Sequence, residues 1–130
     1  MSYPIHDLFV HSLNAEPVPG GERFRIVRYS DHLLRRFGLA EVLRLEANHQ
    51  RPPTVRQVAD ELWALIHGTV EFVLHDQRDE SPSAGKTYHL QSSQPALVLV
   101  PFGVAVEIRA IDGPAELIRL ATHEESAPND

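Results

Sequence analysis

The sequence predicts an all-β sandwich or barrel with one short helix. Three observations lead there. Short apolar runs of strand type recur along the chain, glycine and proline turns separate them, and one segment alone has helical spacing. Closing such a sheet on itself also removes the open edges through which strands aggregate.

Residues 1–21 carry Pro4, Pro17, Pro19 and the Gly20-Gly21 pair, and read as an extended arm with one strand over 7–13. Phe24-Arg25-Ile26-Val27 alternates weakly, as a strand does. A short helix follows: Ser30 or Asp31 can cap it, Leu33, Leu34 and Phe37 form its apolar stripe, and Gly38 can end it. From Glu41 to Asn48 the pattern has period two, which is a strand with one buried face. His49 falls in phase with Leu43, Leu45 and Ala47 and so is expected to face inward.

Arg51-Pro52-Pro53-Thr54 is expected to break that strand. Glu61 to Ile66 and Val70 to Leu74 read as a hairpin around His67-Gly68-Thr69, with glycine where the chain reverses. A polar loop over 76–86 leads to a strand beginning near Tyr88, and Ala96 to Val100 is a run of buried-strand type. Val104 to Ile108 and Glu116 to Ala121 follow as strands, separated by the turn Asp112-Gly113-Pro114. Residues 124–130 are acidic, contain proline and lack large apolar groups, which reads as a frayed tail. Residues 1–123 then make one domain, as 130 residues suffice for a single core and not for two.

Composition narrows the partners. A net charge of -6 disfavours nucleic acid and anionic membrane, both of which need a positive footprint. With no cysteine there is neither a disulfide framework nor a thiolate nucleophile or metal site. No signal segment or spanning apolar run is apparent, so the cytoplasm is the expected location.

Glu61, Gly68 and Pro101-Phe102-Gly103 resemble parts of the two stretches that mark the cupin superfamily. The first stretch there has two histidines, a glutamate, six residues and a glycine. The second has a Pro-x-Gly turn with a histidine three residues past its glycine. The resemblance implies a jelly-roll barrel, with ligands on alternate strand positions pointing together into its mouth. The histidine pair would fall within Thr54 to Gln57, which reads Thr-Val-Arg-Gln, and the last ligand position is Val106. Glu61 alone cannot hold a divalent transition metal, which wants three or four donors. No metal or other cofactor is therefore expected.

A narrower resemblance spans roughly Gly20 to Thr122. Asp76-x-Arg78 with Ser81-Pro82-x-x-Gly85 is similar to a segment of dTDP-4-dehydrorhamnose 3,5-epimerases, and so is Leu97-x-Leu99-Val100-Pro101-x-Gly103-x-Ala105. Phe37-Gly38-Leu39 and Asn48-His49 resemble that family's helix and its Asp-Asn-His stretch. The related nucleotide-sugar 3,4-ketoisomerases share the barrel. The epimerase family works without metal: a histidine takes the proton beside the ketone, a lysine stabilises the enolate and a tyrosine returns a proton. Here 52–60 holds no histidine, the lysine position is Glu61, and no tyrosine follows Tyr88. The resemblance implies a homodimer, through N-terminal strand exchange or sheet packing, and argues against inherited epimerase activity.

The candidate pocket is built from Arg44, His49, Arg56, Glu61 and Trp63, for a small polar ligand such as a sugar or sugar nucleotide. Glu61 has two readings: a general base raised in pKa by Trp63 and Val106, or a carboxylate paired with Arg56 or Arg44. His49 is a candidate proton carrier or a structural histidine. Arg44, Arg51 and Arg56 cluster near the expected mouth, where they could grip a phosphate or bridge to neighbouring glutamates. Asp76, Arg78 and Ser81 are expected to fix their loop. Three functions follow: a ligand-binding cupin without epimerase activity, an active nucleotide-sugar isomerase or epimerase using Glu61 or His49, and an interaction module without a small-molecule site.

Overall fold

Alternating residues along the chain pair into a sheet that folds over on itself. In the computed structural model, which describes residues 3–124, the strands are β1 (Phe9–Ser12), β2 (Ala15–Val18), β3 (Gly21–Phe24), β4 (Leu39–Leu45), β5 (Gln50–Thr54), β6 (Glu61–Asp76), β7 (Thr87–Ser92), β8 (Ala96–Val100) and β9 (Val104–Ala121). The acidic tail expected over 124–130 lies, apart from Glu124, outside the described residues.

β6 and β9 run antiparallel along almost their whole length and belong to both walls of the barrel. One wall is ordered β1-β8-β6-β9-β4; in the other, β7 adds to β6 and β5 to β9. β2 and β3 form a separate two-stranded ribbon. β1 pairs with β8 of its own chain, Phe9 opposite Leu99 and Ser12 opposite Ala96.

The hairpin expected around Gly68 is instead a bend within β6, and the turn at Asp112-Gly113-Pro114 is a bulge within β9. The two corrections have one cause. His67 pairs with Glu116 and Thr69 with Ile111, so residues 112–115 of β9 stand opposite Gly68 alone. A Cβ on Gly68 would lie 2.5 Å from the Pro114 carbonyl oxygen, and its φ is +97°. Glycine here lets two strands bend together rather than reverse one of them.

The expected helix is replaced by one 3₁₀ turn, Tyr29–Asp31, ended by His32 in the left-handed conformation. Three apolar residues cannot offset the cost of nucleating a helix when an apolar sheet face is available. Leu33 and Leu34 pack onto that face, while Phe37 is exposed. Arg51 to Thr54 belong to β5 rather than breaking a strand. The prolines are tolerated because β5 is an edge strand whose register against β9 shifts between Arg51 and Thr54.

Alternation then sorts side chains into two layers. Trp63, Leu65, Phe72, Leu74, Val106 and Ile108 fill the barrel interior. Leu62, Ala64 and Leu97 face outward and are covered by Leu13, Phe24, Ile26 and Val27. The 76–86 loop is fixed as expected. Buried Asp76 accepts from Arg78 Nε at 2.9 Å, from Ser81 and Ser83 hydroxyls, and Arg78 Nη2 continues to the His6 carbonyl at 2.7 Å. That network fastens the N-terminal segment to the barrel.

Candidate functional site

The strand ends decide which groups can meet. Glu61 opens β6, opposite Val100 and Ala121, at the end of the barrel where the β5–β6 and β8–β9 connections lie. Its side chain points inward with Trp63 and Leu65, and only 2% of its surface is accessible. Neither sequence reading of its partner holds: the carboxylate pairs with Arg119 Nε at 2.5 Å. Arg119, 1% exposed, also donates from Nη1 to Glu41 Oε1 at 2.7 Å.

The indole of Trp63 has two cations near it. The guanidinium carbon of Arg51 is 5.0 Å from the ring centre and that of Arg119 is 5.6 Å away. Arg51 reaches in from the opposite wall and donates to Thr54 Oγ1 at 2.8 Å. Trp63 Nε1 is buried and has no hydrogen-bond partner among the described residues. The site is thus two carboxylates, two guanidinium groups and an aromatic donor. It can grip hydroxyl groups and anions. The Arg119 guanidinium beside Glu61 repels a divalent cation, and Val106, the last cupin ligand position, is packed into the core.

Solved structures of the same architecture are sugar-nucleotide enzymes. The dTDP sugar isomerase of Desulfovibrio desulfuricans G20 superposes with a TM-score of 0.87 at 21% identity, covering 100% of this chain and 89% of that one. This chain has the RmlC-like cupin fold. RmlC of Legionella pneumophila Philadelphia 1, in complex with dTDP-4-keto-L-rhamnose, matches the cupin with a TM-score of 0.81 at 17% identity over 95% of this chain and 70% of that one. The dTDP-4-dehydrorhamnose 3,5-epimerase of Elizabethkingia anophelis NUHP1 gives 0.78 at 16%, over 95% and 73%. The spore coat polysaccharide biosynthesis protein SpsL of Bacillus subtilis (strain 168) is 30% identical over 100 residues, 75% of this chain and 66% of that protein's length. No family model matches the chain.

The cupin brings together only part of the expected pocket. Glu61 and Trp63 share the interior, and Arg56 is buried at the same end, donating to the His123 carbonyl at 3.3 Å. Arg44 is on the outer face of β4, paired with Glu116 at 2.8 Å. His49 does not face inward: Asn48, at φ +62°, breaks the alternation. The His49 side chain is 66% exposed beside Glu46. His49 also sits level with Ala110, which pairs with Val70. Val70 lies just past the bend at Gly68, and Glu61 lies seven residues before that bend, about 23 Å along an extended strand, so the two candidates occupy opposite ends of the barrel.

Arg119 and Glu41 were missed. Arg119 had a signal, since it is in phase with Leu117 and Ala121 on the buried face of a period-two run. Arg51 is expected near the mouth with Arg44 and Arg56; its position on β5 and its contact with Trp63 came only with the structure, because the prolines beside it argue against a strand.

Proposed function

We propose that this cupin binds a sugar nucleotide at the Glu61 end of its barrel and holds it without epimerising it. The observation carrying this reading is the composition of the interior. Trp63 Nε1 is a buried donor with no acceptor among the described residues, Arg51 and Arg119 lie near the indole, and Glu61 and Glu41 hold Arg119, a set of groups that binds hydroxyls and oxyanions. Several structural neighbours hold dTDP-sugars or dTDP, which supports the ligand class.

Proton abstraction beside a ketone needs a base free to accept. Glu61 is committed to Arg119, and none of the eight histidines is buried in the interior. The protein acts in this reading in the cytoplasm, as a metal-independent binding protein and a homodimer.

Two measurements test it. dTDP-sugars should raise the melting temperature of the wild type and raise it less in Trp63→Phe, which lacks the indole N–H. No shift with any nucleotide sugar removes the ligand class. Incubation with a 4-keto nucleotide sugar in deuterium oxide should give no exchange. Exchange abolished by Glu61→Gln would make this an isomerase or epimerase instead.

A further inference from the structure

Positive charge gathers at the barrel end beside Glu61, outside the interior site. Four segments meet there: the stretch after the 3₁₀ turn, the β5–β6 connection, the β8–β9 turn and the chain just beyond β9. Asp60 accepts from Arg35 Nε at 3.2 Å and from the Phe102 N–H at 3.0 Å. Its own N–H donates to Thr122 Oγ1 at 2.9 Å, and that oxygen lies 2.8 Å from His123 Nδ1. Arg36 Nη1 stands 3.4 Å from the other ring nitrogen of His123. Gly38 fixes the approach, since a Cβ there would lie 2.4 Å from the His123 backbone nitrogen.

Arg36 is thereby held against an imidazole, and Arg35, bonded to Asp60 and to the Val58 carbonyl, is near enough for its charge to act on the same ring, although both arginines are exposed. Among the described residues the charges acting on His123 are Arg36, Arg35 and Arg56, opposed by Asp60. Phe37 and Phe102, 66% and 46% exposed, flank the same knot. Adjacent guanidinium groups in a fixed frame suit a multiply charged oxyanion, which takes several charge-assisted hydrogen bonds at once.

We propose that Arg35, Arg36 and His123 form an oxyanion site for a phosphate or diphosphate group, and that His123 takes up a proton as the site fills. The group can be free or part of a nucleotide. Burial and then Arg36, Arg35 and Arg56 lower the His123 pKa below the ordinary histidine value, with Asp60 opposing them. A bound dianion offsets that repulsion and raises the pKa. By reciprocity, the anion binds more tightly as pH falls.

Calorimetric titration with pyrophosphate tests the site directly. Arg36→Ala should weaken binding about tenfold, the loss of one charge-assisted contact, and Arg36→Lys should retain most of it. Sulfate, which does not titrate in this range, should bind more tightly at pH 5.5 than at pH 7.5 in the wild type, with little pH dependence in His123→Gln. Equal pyrophosphate affinity in Arg36→Ala, or pH-independent sulfate binding by the wild type, overturns the inference. A dTDP-glucose titration separates it from the function proposed above. Binding of dTDP-glucose, with pyrophosphate bound equally by wild type and Arg36→Ala, refutes the oxyanion site and leaves the sugar-nucleotide reading standing. Pyrophosphate binding that needs Arg36, with no nucleotide sugar bound, supports the site and refutes that reading.

Discussion

Asp76 shows how a residue can be marked by chemistry and still serve structure. Burial alone would raise its carboxyl pKa, but hydrogen bonds from Arg78, Ser81 and Ser83 and from the Arg78 backbone hold it far below the ordinary carboxylate range. A depressed pKa stabilises the fold fully above the unfolded-state value, about 4, and the contribution disappears as pH falls toward the folded-state value. Asp76→Asn should therefore cost about 2–3 kcal/mol at pH 7. Urea unfolding at a series of pH values should show the gap to wild type narrowing between about pH 4 and pH 2. A gap independent of pH would mean that the charge of Asp76 contributes nothing. This cluster was legible because its members lie within eight residues. The Glu61–Arg119 pair was not, since its partners are 58 residues apart and only strand register joins them.

Among the elements, β6 and β9 carry the lesson about turns. Glycine beside histidine, and the sequence Asp-Gly-Pro, give the same local signal for a reversal and for a bend in two long strands. What distinguishes them is the partner strand, which local patterning does not reveal. The continuous apolar run was dependable, as with Ala96 to Val100, which is β8 with the expected bounds. The close approach of Pro114 makes Gly68 a point of failure. Gly68→Ala should destabilise the protein by at least about 2 kcal/mol, from a positive φ together with a backbone clash. Ala at the open position Gly113 should be mild by comparison. Similar denaturation midpoints for the two variants would show that the bend does not require glycine.

For the molecule as a whole, the sequence supplied the jelly-roll architecture through its family motifs, while the contents of the barrel were only half visible. Glu61 and Trp63 could be placed by motif and phase, and Arg51 only as one of the arginines near the mouth; the part of Arg119 needed the pairing of distant strands. The outer face leaves Ile118 and Leu120 half-buried and Val42 58% exposed, an apolar surface to which a second copy can add cover. The proposed homodimer predicts twice the chain mass in sedimentation equilibrium, and Val42→Glu should shift it toward monomer. A monomeric mass for the wild type removes the dimer.

Because both walls are made from the same two strands, neither can swing away from the other without tearing the ladder between β6 and β9. Entry and exit must then be governed by the connecting segments at the rim. The width of the gap is set when the chain folds, so a visiting molecule has to suit a fixed aperture.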